Sequence, residues 1–224
     1  WEYYMNYGDK KVIAENYNAS KRQIDYMLTW VKPDGTMHQS RKNAIDNGDC
    51  YWMNLGDWVP PYKFPGDDKV HTYMLWRCAD RMSKMAKVMG NDADEKHYRD
   101  LADKTRDAYD KVYFENDTLG YGDFGCNSFA VEMGLAEKRP ELKKILADEI
   151  GVRYKGHLNC GYIALEVLFE GLAKVGANNI AYTAMNQTDF PPFGYMLKNG
   201  ATTLWEQFDG QNSENHPFLG CCLT

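Results

Sequence analysis

Glu206 is the residue whose sequence surroundings best fit a chemical role. It stands between a tryptophan and a glutamine in the segment Gly200-Ala-Thr-Thr-Leu-Trp-Glu-Gln-Phe-Asp-Gly210. The small and aromatic neighbours would position its carboxylate and limit the water around it. Such a carboxylate suits a general base that takes a proton from water in the inverting hydrolysis of a glycosidic bond. The plain alternative is a surface glutamate.

A second set of candidate residues lies in Asn54-Leu-Gly-Asp-Trp-Val-Pro-Pro61. Asp57 is expected either to bind a sugar hydroxyl or to orient a neighbouring group, and Trp58 is expected to form a wall of the pocket. The alternative is a rigid turn around a buried indole. His216 follows Glu206 closely and would add a polar group for a sugar hydroxyl, although a lone histidine is more often structural.

Other chemistries find little support. The five histidines are scattered with no pair three or four residues apart, and the six cysteines have no C-x-x-C spacing, so we predict no metal site. Buried free thiols are favoured, and disulfides stay open. No G-x-S-x-G motif indicates a serine nucleophile. No cofactor is implied, because hydrolysis by two carboxyl groups needs only water, although a structural cation stays open.

Composition narrows the class of partner. The formal net charge is -6 and no run of lysine or arginine exceeds two residues, which argues against nucleic acid, since phosphate binding needs a clustered basic face. No apolar stretch approaches the ~20 residues of a membrane span, so no membrane partner is expected. The aromatic share of 14% suits both a helical core and a carbohydrate cleft.

Helical periodicity dominates the sequence. Apolar stripes at spacings of three and four predict helices up to Pro33, from Met74 to Met89, from Tyr98 to Val112, from Pro140 to Ile150, from Ile163 to Leu172, and from Ile180 to Met185. Glycines follow several of these stripes as stop signals. The Met74–Met89 stripe, with Cys78, Met82 and Met85, is interpreted as core packing.

The connections between the predicted helices alternate in length. Short ones cover residues 90–94 and 176–178, and long ones cover residues 32–70, 114–126 and 188–217. Helix pairs joined in this way predict an all-α ring in which the long loops gather at one end. Trp58 and Glu206 both fall in long loops, so we expect the site at that end.

Several motifs, taken together, resemble a known family. In order they are Gly56-Asp-Trp58, Gly156-His-Leu-Asn-Cys-Gly161, Phe193-Gly-Tyr-Met-Leu197 with Gly200-Ala-Thr-Thr-Leu-Trp-Glu206, and Asn212-Ser-Glu-Asn-His216. This order resembles the bacterial-type α-L-rhamnosidases of glycoside hydrolase family seventy-eight, and the resemblance covers essentially the whole chain. The segment ending in Trp205-Glu206 with its following Asn-His is specific, whereas Gly-Asp-Trp alone is weak.

The resemblance implies an (α/α)6 barrel and an inverting hydrolysis of terminal α-L-rhamnosides. It implies that Glu206 is the general base, that the Trp58 indole lines the substrate pocket, and that the His216 imidazole binds a hydroxyl. The partner would be a carbohydrate or a rhamnosylated small molecule. Two alternatives stay open: a related glycosidase for another deoxy sugar or a uronide, and a non-catalytic carbohydrate-binding or assembly protein that keeps the barrel.

The chain also departs from the family pattern. In the family, the general acid belongs to a motif that precedes the position corresponding to Trp1. No segment of this chain matches that motif. We therefore expect residues 1–224 to be a single domain, the C-terminal portion of the barrel, truncated at both ends and dependent on the remainder of the same polypeptide. Pro192-Phe-Gly194 and a short loop between Glu206 and His216 also differ from many relatives.

Overall fold

The computed structural model describes residues 1–38, 56–63, 65–191 and 193–210. Helices account for the regular structure of these residues, and two isolated bridges, Val31–Met37 and Asn116–Gly120, are their only β pairings. The helices are α1 (Glu2–Tyr7), α2 (Lys11–Leu28), α3 (Asp67–Val88), α4 (Asp92–Tyr113), α5 (Cys126–Glu132), α6 (Leu135–Lys138), α7 (Leu142–Asp148), α8 (Tyr162–Lys174), α9 (Asn178–Asn186) and α10 (Phe193–Lys198), with a π-helical turn Glu149–Arg153 after α7. The predicted all-α fold is confirmed.

The longest helices, α3 and α4, form an antiparallel hairpin with a tight connection. Gly90 takes the left-handed conformation there (φ 72°), and the Asn91 side chain caps α4 by accepting a hydrogen bond from the Asp94 N–H at 3.1 Å. The Asp94 carboxylate in turn accepts hydrogen bonds from Lys21 (2.8 Å) and from the Tyr17 hydroxyl (3.0 Å). Because both partners belong to α2, this contact fastens α2 against the end of the hairpin.

The methionine stripe on α3 is only partly core. Met82 is fully buried, whereas Met74 and Met85 are half-buried. Met89 is 40% exposed and lies just beyond the last residue of the helix. Met82 is the stripe residue that is buried in the core between α2, α3 and α4, and the other buried residues of that core are Ile24, Met27, Met37, Leu75 and Tyr98.

Several short helices are absent from the sequence prediction. α5 has seven residues, and all but its last are buried, so it shows no polar face and no amphipathic period. α10 has six residues and lies inside the segment 188–217 that was predicted as a loop. The helix predicted to end at Gly151 instead continues through that glycine as the π-helical turn. Helices of this length are not stable without tertiary packing, so their local sequence signal is weak.

The helices α3, α5 and α8 pack together as the centre of the domain. Phe129 of α5 stacks on Tyr73 of α3, with ring centroids 4.1 Å apart. Arg77 of α3 forms a bidentate ion pair with Glu166 of α8 at 2.7 and 2.5 Å. The planar pairing of guanidinium and carboxylate fixes how α3 and α8 sit against each other along their lengths.

The first turns of α5 and α8 approach so closely that only glycine fits between them. Gly125, directly before α5, has φ 93°, and a Cβ placed on it would overlap the Cβ of Ala164. The same hypothetical atom would lie 3.4 Å from the Cβ of Cys160. The starting ends of the two helices are therefore held in direct contact, and the loops that precede them are brought to one place.

We expect Gly125→Ala to destabilise the domain far more than Gly134→Ala. Both glycines are left-handed (φ 93° and 81°), so both substitutions incur the ~1–2 kcal/mol cost of that conformation for an L residue. Only Gly125 has a neighbour in the way, whereas Gly134 has nothing within 4 Å. Overpacking should add roughly 1–3 kcal/mol at Gly125, measured by urea unfolding. Equal losses for the two variants would contradict the close approach of α5 and α8.

Candidate active site

Two of the predicted site residues meet in the structure. The indole Nε1 of Trp58 donates a hydrogen bond to Oε1 of Glu206 at 3.2 Å, although the residues are 148 positions apart in sequence. The Trp58 side chain is 37% exposed, and Glu206 is half-buried. Oε2 of Glu206 accepts no hydrogen bond from the residues that the structure describes. The pair thus presents a solvent-accessible indole beside a half-buried carboxylate, one oxygen of which accepts the indole N–H.

Tyr162, the first residue of α8, joins both halves of this pair. Its backbone N–H donates to the carbonyl oxygen of Trp58 at 3.1 Å, and its hydroxyl donates to the carbonyl oxygen of Glu206 in a short hydrogen bond. Our sequence analysis did not identify Tyr162. The only local sequence signal was the glycine immediately before it, Gly161. The structure gives the reason for this glycine, because a Cβ there would overlap the Trp58 carbonyl.

Asp57 is buried and faces the start of α8. Its two carboxylate oxygens accept hydrogen bonds from the backbone N–H groups of Gly161 (2.6 Å), Ile163 (2.8 Å) and Ala164 (3.2 Å). Burial raises the pKa of Asp57 to about 7, although the three N–H donors act to lower it. Its contacts agree with the predicted role of orienting a neighbour, and binding of a sugar hydroxyl by Asp57 stays a prediction.

The aromatic residues next to Glu206 in sequence belong to the core. Trp205 and Phe208 are both buried, and the Phe208 ring lies 6.2 Å from that of Phe193 on α10. Gly210 packs directly against the Trp205 ring, because a Cβ on Gly210 would lie only 2.9 Å from a ring atom of Trp205. These contacts anchor the segment on both sides of Glu206, although the segment itself contains no helix or strand.

The loop that carries Trp58 also borders a cavity. A cavity of about 250 Å³ opens between the two site segments and is lined by Val59, Pro60, Pro61, Phe190, Gln207, Phe208 and Asp209. Val59 has φ 46°, which is a strained conformation for a β-branched residue. Such strain persists only where surrounding contacts impose it, and it often marks functional loops.

A buried carboxyl group supports the loop that leads into α8. Glu149 accepts hydrogen bonds from the side-chain amides of Asn127 (2.8 Å) and Asn159 (2.6 Å), and Arg153 lies 4.0 Å away. Burial raises the pKa of Glu149 to about 7, against the opposing effect of the two amide donors. Because Asn159 precedes Gly161 by two residues, this network fixes the approach to α8. The sequence analysis did not identify it.

The remaining predictions concern His216 and metal ions. His216 lies outside the described residues. Within the described ranges, no group of three or more His, Cys, Asp or Glu side chains is arranged to hold a metal ion. In the same ranges no helix is long and apolar enough to cross a membrane. Cys78 and Cys126 are free thiols.

All residues of this chain match one protein-family model. The model is the bacterial alpha-L-rhamnosidase six-hairpin glycosidase domain, matched over residues 1–224, and the chain belongs to this family. It is an incomplete form of the six-hairpin toroid, as the described helices indicate.

Curated relatives are considerably longer than this chain. An alpha-L-rhamnosidase of Streptomyces avermitilis is 27% identical over 212 residues, covering 93% of this chain and 19% of the relative. Another alpha-L-rhamnosidase, from Alteromonas sp. (strain LOR), is 24% identical over 246 residues, covering 98% of this chain and 25% of that relative. The chain therefore spans about a fifth to a quarter of the length of these relatives.

Solved structures of similarly named proteins share the fold. The alpha-L-rhamnosidase from Dictyoglumus thermophilum superposes with a TM-score of 0.80 at 30% identity, covering 96% of this chain and 24% of that one. The Streptomyces avermitilis alpha-L-rhamnosidase complexed with L-rhamnose gives a TM-score of 0.82 at 24% identity, and the match covers 96% of this chain and 20% of that one.

The cap formed by Asp57 is expected to be much more important than an exposed cap. Asp57→Asn replaces one of two accepting oxygens by an NH2 group that faces backbone donors, so we expect a loss of roughly 2–3 kcal/mol in urea unfolding. Asp9→Asn is the matched control, because the exposed Asp9 accepts a single bond from the Lys11 N–H at 2.8 Å. Asparagine and aspartate cap about equally well, so this control should change stability by only a few tenths of a kcal/mol. A similar small effect at Asp57 would contradict its role as a buried cap.

The buried Glu149 should make stability depend on pH. Its pKa is raised to about 7 in the folded state, so the folded protein holds a proton that the unfolded chain releases above its ordinary pKa of 4.5. The free energy of unfolding should therefore fall as pH rises from about 4.5 to 7.

We expect Glu149→Gln to reduce this pH dependence in urea unfolding at pH 5 and pH 7.5, because glutamine does not titrate. Part of the slope should remain, because the pKa of the buried Asp57 is also raised to about 7. The exposed Glu170→Gln should retain the wild-type slope. An unchanged slope in Glu149→Gln would show that Glu149 does not supply the effect.

Proposed function

We propose that this domain takes part in the inverting hydrolysis of terminal α-L-rhamnosides and that Glu206 is its general base. The observation that carries the proposal is the hydrogen bond between Trp58 and Glu206, which sets an exposed indole beside a partly buried carboxylate at 3.2 Å. Membership of the rhamnosidase six-hairpin family and the names of the relatives support the substrate class.

The two oxygens of Glu206 have different environments that suit a base. Oε1 accepts the hydrogen bond of the Trp58 indole, whereas Oε2 accepts none from the part of the chain that the structure describes. In the inverting reaction this carboxylate takes a proton from the water as the oxygen attacks the anomeric carbon. The glycosidic bond breaks at the same centre, and a general acid gives its proton to the departing oxygen.

The general acid belongs to the preceding part of the polypeptide in this proposal. An inverting pair needs a separation of about 6.5–9.5 Å, so that water fits between the base and the sugar. Glu206 lies in a segment anchored by buried aromatic residues, which can hold such a separation. In this proposal the base alone does not turn over substrate, because inverting hydrolysis also needs the general acid.

Trp58 is the proposed contact for the sugar. Rhamnose is a 6-deoxy sugar, and an apolar wall against its methyl group favours it over a hydroxymethyl sugar by ~1–3 kcal/mol at most. The exposed 37% of the Trp58 side chain supplies such a wall. His216 is proposed to bind a hydroxyl, and Asp57 is proposed to act from behind Trp58 by fixing the start of α8.

We expect Glu206→Gln in the full-length parent protein to reduce kcat on an aryl α-L-rhamnoside by about 10²-fold or more, because the amide cannot accept the proton. NMR during wild-type turnover should show β-L-rhamnose as the first product. The exposed Glu170→Gln is the matched control and should keep wild-type kcat.

Each other outcome has a distinct meaning. Turnover of another aryl deoxy-glycoside or uronide would change the sugar and keep the mechanism. An active wild type with an equally active Glu206→Gln variant would remove Glu206 from its role as base. Absence of turnover on all of these substrates, with measurable rhamnose binding, would favour the carbohydrate-binding function.

A further inference from the structure

We propose that Tyr162 is a positioning residue for Glu206, an inference that rests on the proposed role of Glu206 as the base. Tyr162 contacts Glu206 through its hydroxyl and Trp58 through its backbone N–H. The proposed role is to hold the base in place from a rigid helix and not to touch the substrate.

Three hydrogen bonds link the residues in a closed circuit. The Tyr162 N–H donates to the Trp58 carbonyl (3.1 Å), the Trp58 indole donates to Oε1 of Glu206 (3.2 Å), and the Tyr162 hydroxyl donates to the Glu206 carbonyl. The circuit therefore fixes Glu206 at its main chain and at its side chain. Both the main chain and the side chain of Glu206 are thus linked to Tyr162, the main chain directly and the side chain through Trp58.

The segment around Glu206 needs such an external support. α10 ends at Lys198, and residues 199–210 contain no helix or strand, so no ladder of backbone hydrogen bonds holds the carboxylate. Tyr162 is only 5% exposed and begins a 13-residue helix, so its ring is held rigidly by packing. Sites supported by rigid elements keep their geometry better than sites held by loops alone.

The neighbours of Tyr162 fix the anchor itself. Asp57 accepts three backbone N–H bonds around the start of α8, which locks the first turn. Gly161 allows the Trp58 carbonyl to reach the Tyr162 N–H, since any Cβ there would overlap that carbonyl. The position of Glu206 thus depends on the start of α8 through Tyr162.

Tyr162→Phe in the full-length protein should lower kcat and leave KM nearly unchanged. The substitution removes the hydroxyl that holds the Glu206 carbonyl and keeps the ring that fills the core. A displacement of about 1 Å in a catalytic group can reduce the rate by up to ~10²-fold, so we expect a 10- to 100-fold loss in kcat on the aryl rhamnoside. Tyr182→Phe is the matched control: its side chain is 72% exposed on α9, and it should behave as wild type.

A second measurement reports the geometry without any turnover. The protein is labelled with 5-fluorotryptophan, and Trp58→Phe identifies the fluorine resonance of residue 58. The resonance should lie at a different position in Glu206→Gln than in the wild type, because the carboxylate that accepts the indole N–H is replaced by an amide. In Tyr162→Phe the resonance should move or broaden, while in Tyr182→Phe it should stay in place.

The two measurements separate this inference from the proposed function. A wild type without rhamnosidase turnover would refute the proposed function alone, and the fluorine resonance would still test whether Tyr162 holds the pair. An unchanged resonance in Tyr162→Phe would overturn the inference, whatever happens to kcat. A changed resonance with wild-type kcat would overturn it as well, because the displacement would then have no effect on the base.

Discussion

The buried cap that Asp57 places on the start of α8 is the interaction on which the rest of the site depends. A carboxylate in the interior is costly, and burial raises the pKa of Asp57 to about 7 against the lowering effect of its three N–H donors. Three backbone N–H groups at a helix terminus are a strong compensation, because they are otherwise unpaired donors at the positive end of the helix dipole. Through this cap, a loop more than 100 residues away in sequence is fastened to the helix that supports Glu206.

Glycine makes the same region compact enough for the cap to form. Gly125 lets α5 approach α8, and Gly161 lets the carbonyl of Trp58 approach the first residue of α8. The Glu149 network then holds the segment before α8 from the opposite side, through Asn159. Two buried carboxyl groups thus support one helix start.

The aromatic residues divide into two groups with different tasks. Trp205 and Phe208, which flank Glu206, are buried and anchor its segment, whereas Trp58 is more than one-third exposed and lines the accessible side. Tyr162 stands between these groups, buried by its ring and polar at its hydroxyl. An aromatic content of 14% therefore serves both core and candidate pocket, which composition alone left undecided.

From the sequence we could predict the long helices, the short connection at residues 90–94, and Trp58 and Glu206 as candidate site residues. Period and capping are local properties, so α3 and α4 are readable from consecutive residues. The tertiary structure alone decided that Trp58 meets Glu206, that Asp57 faces α8, and that Tyr162 and Glu149 support the site. The contacts of Trp58 and Tyr162 with Glu206 join residues 148 and 44 positions apart, and the short helices α5 and α10 form only against such packing. No local pattern encodes a hydrogen bond over that distance, because the bond exists only after the core has brought the two segments together.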